Sequence, residues 1–121
     1  CAVALKIFEV IEKENLTDHA RKLGEWMKNE LERLAKNYPT VVKNARAFGF
    51  MLGFELMEKI PAFASSEKSA AIQFTNRMQA AGVLVVPAGT QTIRLLPPLN
   101  LKPQEAGEGI SIIEQVVKSL V

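Results

Sequence analysis

The run Val83-Leu84-Val85-Val86-Pro87-Ala88-Gly89-Thr90-Gln91-Thr92-Ile93-Arg94-Leu95-Leu96-Pro97-Pro98 holds two β-favouring segments around one short turn. Val83–Val86 is β-branched and apolar, and Gly82 bounds it on its upstream side. Pro87–Gln91, with Gly89 inside it, reads as the turn, and Thr92–Leu96 reads as the second strand. Pro97 and Pro98 end that strand, because proline has no N–H to give to a ladder. Two strands joined by so few residues must run antiparallel, since a parallel pair needs a crossover of about a dozen residues or more.

Upstream, residues 41–57 carry the same strand-forming chemistry. Val41–Phe48 and Phe50–Met57 form one long bent strand or two short ones, with Gly49 as the bend or bulge. Ile60–Ser66 is a loop, and a helix is expected from about Ser66 to Ala81, with Ala70, Phe74, Met78 and Ala81 on one side and Gly82 as its C-cap. Residues 1–14 form a helix with apolar residues around a wide arc (Val3, Ala4, Leu5, Ile7, Phe8, Val10, Ile11), which implies burial on more than one side. Asn15, with Asp18 three residues on, is expected to cap a second helix that runs to about Asn37 and stops before Pro39. Its apolar stripe is Leu16, Ala20, Leu23, Met27, Leu31 and Leu34, with Trp26 packing beside it. Downstream, Pro103 opens a last helix whose stripe is Ala106, Ile110, Ile113, Val117 and Leu120. The order is ααβ(β)αββα. The expected fold class is α+β: a small antiparallel sheet of three to four strands covered by helices, in one domain spanning residues 1–121.

Composition narrows the function classes. A formal charge of +2, with Lys and Arg mixed among Glu along the chain, gives no basic face for nucleic acid. No apolar run approaches the length of a membrane helix, and the first ten residues, with Lys6 and Glu9, do not form a signal peptide. The single cysteine, Cys1, excludes an internal disulfide and fits a reducing, cytoplasmic compartment. The missing initiator Met and the uncapped first helix lead us to expect that the chain is a piece of something longer.

Chemistry-bearing residues are few. His19 is alone, so it makes no metal site and is expected at the surface or in a capping role. Cys1 has no partner histidine, and the turn Pro87-Ala88-Gly89-Thr90 is too short to cradle phosphate. No catalytic, metal-ligating or cofactor-binding residue is therefore assigned. Arg94 stands out because its strand neighbours are apolar, which leads us to expect a buried strand and a charge that needs a partner. That partner is either an internal Glu or a ligand carboxylate, for which the planar guanidinium fork is suited. Arg46 poses the same question in a more polar strand, where the simpler reading is an ordinary edge-strand charge.

Three segments in register resemble the class III aminotransferase family. Arg46-Ala47-Phe48-Gly49-Phe50-Met51-Leu52-Gly53-Phe54-Glu55-Leu56 resembles the family's Arg-Gly-x-Gly-Leu-Met-x-Gly-x-Glu-Leu strand, with Ala47 where the first glycine is usual. Ala81-Gly82-Val83-Leu84-Val85-Val86-Pro87-Ala88-Gly89 resembles its Gly-Val-Leu-Val strand and turn. Ile93-Arg94-Leu95-Leu96-Pro97-Pro98-Leu99 resembles its Val-Ile-Arg-Phe-x-Pro-Pro-Leu segment. Cys1-Ala2-Val3-Ala4-Leu5 is similar to the helix after the family's Gly-Asn-Pro-x-Ala sequence, so the likeness covers essentially the whole chain.

The resemblance is nearest to acetylornithine- and ornithine-type members, and it implies a fold-type I enzyme that uses pyridoxal phosphate. It implies that residues 1–121 are the C-terminal small domain, that the large cofactor-binding domain lies upstream with the Schiff-base lysine and phosphate anchors, and that the fragment alone is inactive. The expected partners are that large domain, the second subunit of a homodimer, and amino acid and 2-oxoglutarate substrates. The reaction implied is amino transfer from N-acetylornithine, or a related ω-amino acid, to 2-oxoglutarate, as in arginine biosynthesis. Arg94 matches the family arginine that holds the substrate's α-carboxylate. Without the resemblance, the alternatives are a stand-alone α+β carboxylate-binding or regulatory module and a purely structural interaction domain.

Overall fold

The computed structural model describes residues 1–121. Four strands form one antiparallel sheet: β1 (Val42–Phe48), β2 (Met51–Leu56), β3 (Val86–Ala88) and β4 (Thr92–Leu95), in spatial order β1-β2-β4-β3. Residues 41–57 therefore make two strands, and they fold back as a hairpin. Phe48 pairs with Met51 across a two-residue turn, Gly49-Phe50. Gly49 has φ +58° while Phe50 stays at negative φ, as in a type II′ turn, whose twist matches that of the flanking strands. Gly49 is thus a hairpin turn rather than a bulge; the one register shift falls between Val42 and Asn44, at Lys43.

The second hairpin is shorter than expected and displaced. β3 begins at Val86, not Val83, and Pro87 belongs to the strand, leaving residues 89–91 as the turn. Two causes are visible. The Val83 N–H is committed to the Met78 carbonyl (3.0 Å) in the C-terminal cap of the preceding helix, where Gly82 takes φ +93°. The register that pairs Val86 with Arg94 would also set residues further back against Leu96 and Pro97, where the ladder runs out of donors. Pro87 is tolerated because β3 is an edge strand.

Helices α1 (Ala2–Lys13), α2 (Leu16–Asn37), α3 (Ala70–Ala80) and α4 (Pro103–Lys118) complete the fold, with a 3-10 turn at Pro61–Phe63. Alternation along the strands sends Val42, Leu52, Phe54, Leu56, Ile93 and Leu95 to one face, where all are buried. α2 lies over β1 and β2, α3 over β3 and β4, and α4 packs against both helices. The expected stripe of α2 is buried in full, and that of α4 is joined by Val116. In α3 the buried residues are Ala71, Phe74 and Met78, with Ala70 half-buried and Ala81 exposed. This helix starts later than Ser66 because the Ser69 hydroxyl caps it, accepting from the Ile72 N–H (3.4 Å), whereas the Ser66 hydroxyl is held in a local turn by the Lys68 N–H.

Two further expectations, at Asn15 and at Trp26, are corrected. Asn15 is left-handed (φ +51°) and makes no side-chain cap. Only Glu14 and Asn15 link α1 to α2, and the reversal at Asn15 takes the αL conformation that Asn tolerates, not the β-region geometry that capping requires. Asp18 pairs instead with Arg21 and Lys22. No residue of α1 is buried, so the burial that its wide apolar arc implies is not supplied by these residues; the helix touches α2. Trp26 stays 42% exposed, so its packing is partial. The helices cover only one face of the sheet.

Candidate carboxylate-binding face

The uncovered face is built by the alternate residues of each strand. Asn44, Arg46 and Phe48 come from β1, Met51, Gly53 and Glu55 from β2, Thr92 and Arg94 from β4, and Val86 and Ala88 from β3, by the pairings Arg46–Gly53, Gly53–Arg94 and Val86–Arg94. Arg94 is therefore exposed, contrary to the expected burial. Its neighbours Ile93 and Leu95 are the buried ones, because their side chains point the other way and Arg94 takes the open side. Neither Arg94 nor Arg46 forms an ion pair with any carboxylate of the chain.

Arg46 does lie on an edge strand, as expected, but cross-strand register sets it in one row with Arg94, on either side of Gly53. Both arginines line a shallow depression of about 590 Å³ together with Phe48, Thr92, Ala88 and Leu96. Gly53 contributes no side chain to the space between them. A Cβ there would stand 3.2 Å from the Ile93 carbonyl oxygen, so the strands are also closely drawn together at this point. The hairpin half of this row is readable in sequence, since a two-residue turn at Gly49-Phe50 places residue 46 opposite residue 53. The other half, β2 against β4, joins segments about forty residues apart and has no local signal.

Glu55 shares the face but is already engaged. It accepts from Lys43 Nζ and Asn44 Nδ2, each at 3.1 Å, and these bonds, Lys43 first, hold its carboxyl below the usual carboxylate range against a smaller opposing effect of burial. The result is a cationic row, with one already paired carboxylate in the neighbouring row of Asn44, Glu55 and Thr92. Chemically, the row can grip a carboxylate; it offers no general base and no nucleophile.

The other residues weighed in sequence lie elsewhere. His19 is neither a cap nor free at the surface: its Nε2 is 2.6 Å from the Leu101 carbonyl oxygen, which makes Nε2–H the donor, and its ring meets Phe50 edge-on at 6.0 Å. It ties α2 to the segment before α4 and to the hairpin turn. Cys1 is exposed. No three His, Cys, Asp or Glu side chains come together as a metal site. An aldehyde cofactor needs a lysine in a desolvated pocket and a cradle for its phosphate. No lysine of this chain is buried, and Lys6, Lys22, Lys28, Lys43 and Lys118 are paired with carboxylates. The residues present thus fit the carboxylate end of a substrate and do not by themselves form a site for pyridoxal phosphate.

Comparison with known proteins agrees with the resemblance in the motifs. A model of the family described as aminotransferase class-III matches residues 1–117. The acetylornithine aminotransferase of Thermosynechococcus vestitus is 33% identical over 119 residues, 98% of this chain and 27% of that protein. The L-lysine-epsilon aminotransferase of Mycobacterium bovis is 31% identical over 114 residues, 94% of this chain and 23% of that protein. Among solved structures, acetylornithine aminotransferase from Elizabethkingia anophelis superposes with a TM-score of 0.87 at 25% identity, over 98% of this chain and 28% of that one. Lysine aminotransferase from M. tuberculosis gives 0.80 at 30% identity, over 95% and 24%. The chain spans about a quarter of the length of the relatives it matches. With nearly every residue covered by the family model and the same fold in its solved relatives, this chain belongs to the class III aminotransferase family.

Proposed function

We propose that this chain is the C-terminal, substrate-positioning domain of a longer pyridoxal-phosphate-dependent enzyme, and that Arg94 holds the substrate's α-carboxylate. The observation that supports this most is the placement of Arg94: an unpaired guanidinium on the one face of the sheet that no helix covers. The amino donor proposed is N-acetylornithine or a related ω-amino acid, in keeping with the relatives' names, and the acceptor is 2-oxoglutarate. The enzyme would act as a cytoplasmic homodimer; no helix here is long and apolar enough to cross a membrane.

In this reading, the electron sink that the cofactor provides and the lysine that carries it belong to a large domain outside these residues. This chain's share is to bind and orient. Arg94 donates two parallel N–H bonds to the carboxylate, which fixes the plane of the carboxyl group and so the direction in which the substrate Cα–H bond points. The same large domain and the second subunit would cover the open sheet face and α1, so the fragment alone is expected to be inactive.

The test is Arg94→Ala, with Arg94→Lys beside it, in the complete enzyme. Loss of a bidentate positioning contact corresponds to roughly 3 kcal/mol, so kcat/KM for both donor and keto acid is expected to fall about 100-fold or more. Lysine, a point charge without the fork, is expected to restore only part of this. An Arg94→Ala enzyme with undiminished kcat/KM for both substrates would overturn the reading.

A further inference from the structure

We infer that His19 is a positioning residue for the carboxylate grip: it holds in place the apolar side chains of Met51 and Leu96, which stand beside Arg94 and keep water from that side of the guanidinium. The inference rests on the reading of Arg94 given above. Two contacts carry it. The half-buried His19 ring donates from Nε2 to the Leu101 carbonyl oxygen at 2.6 Å, and it meets the Phe50 ring edge-on at 6.0 Å. Leu101 lies at the end of the connection that leaves β4 after Arg94, and Phe50 sits in the β1–β2 turn directly before Met51. One side chain of α2 thus reaches both segments that border the depression on its apolar side, where Met51 and Leu96 line it together with Arg94.

The connection from Leu96 to Leu101 has little else to hold it. Pro97 and Pro98 have no N–H, and the one bond inside the segment runs from the Leu101 N–H to the Pro98 carbonyl at 3.0 Å. Leu96, Pro98, Leu99 and Asn100 are exposed, so packing adds little. The His19 bond is the only hydrogen bond from this segment to the rest of the fold. Two consecutive prolines fix their own φ and restrict the residue before each, so a shift at Leu101 is carried back to Leu96 rather than absorbed. Leu96 lies two residues beyond Arg94 and shares its side of the sheet, and the register that pairs Leu52 with Leu95 brings Met51 opposite it. An ion pair gains strength as water is excluded from it, so an apolar shoulder fixed beside Arg94 tightens its hold on a carboxylate.

The experiment measures KM and kcat for donor and keto acid, together with Tm, in the complete enzyme. The variants are His19→Phe, His19→Gln, Leu96→Ala, the double variant of His19→Phe with Leu96→Ala, and Arg94→Ala. His19→Phe keeps a ring against Phe50 and loses the N–H; its KM for both substrates is expected to rise about fivefold, with kcat within about twofold of the parent. His19→Gln carries an N–H at similar reach and is expected to stay within about twofold of the parent in KM. Leu96→Ala is expected to raise KM by a similar factor to His19→Phe, and the double variant to show no further rise, because both changes remove the same shoulder. A lower Tm in His19→Phe with unchanged KM would make the contact structural only and overturn the inference. Equal KM changes in His19→Phe and His19→Gln, or multiplied effects in the double variant, would overturn it as well. If Arg94→Ala impairs both substrates while His19→Phe spares both, only this inference fails. If Arg94→Ala spares both, the reading of Arg94 fails, and this inference with it.

Discussion

Gly24, in the middle of α2, shows how a single residue can carry a packing decision. On propensity alone, alanine would be better there by about 1 kcal/mol. Yet a Cβ on Gly24 would stand 2.2 Å from the carbonyl oxygen of Gly49, a backbone atom in the β1–β2 turn that no rotamer change can move aside. Overpacking of this kind costs about 1–3 kcal/mol, and here the whole hairpin turn must shift to relieve it. Gly24→Ala is therefore expected to lower Tm by about 5 °C; a rise in Tm would show that the helical preference outweighs the clash. The same residue-scale logic explains Arg94. Its charge needs no buried partner, because strand alternation points it away from the core that Ile93 and Leu95 enter.

Between elements, the main polar tie joins α2 to α4. Arg33 reaches Glu114 through two nitrogens at 3.1 and 3.3 Å and also donates to Glu30, while the Tyr38 hydroxyl donates to the same Glu114 at 3.2 Å. Glu114 is thereby held below the ordinary carboxylate range, by Arg33 above all, and Arg33 is raised further above its already high value. A carboxyl whose folded-state pKa is depressed adds stability above its unfolded pKa, near about 4.3, and loses that contribution as pH falls through the lower folded value. Arg33 remains partly exposed, and solvent screening limits the tie to about 1–2 kcal/mol. Glu114→Gln is thus expected to reduce urea stability by that amount at pH 7, with the gap from the parent closing at pH 3. A gap unchanged at pH 3 would mean that the loss is one of packing and not of charge.

At the scale of the molecule, one side is finished and the other is bare. The helix-covered face buries Phe54, Phe74, Leu31 and Ile93 almost completely, whereas Phe48 is 86% exposed on the open face and Phe8 67% exposed on α1. Large apolar side chains left open on both the sheet face and α1 are what a covering domain would bury. If the proposed large domain covers them, the isolated chain is expected to bind the dye ANS strongly and the complete enzyme weakly. Equally strong binding by both would show that these residues face solvent in the enzyme as well.

The sequence by itself determined the elements that local chemistry controls. The stripes of α2 and α4, the stop at Pro39, the opening at Pro103 and the cap at Gly82 all follow from side-chain periodicity and from what proline and glycine allow. Motif order along the chain was likewise enough to indicate the family. Only the tertiary structure decided the rest. β3 begins late because its first residues are spent on capping α3 and its partner strand ends in prolines, neither of which is visible within the segment itself. Asn15 turns left-handed because two helices must meet there. Arg46 stands in one row with Arg94 because β2 pairs with β4 from a distant part of the chain, and hydrogen-bond register between remote strands leaves no periodicity in either one.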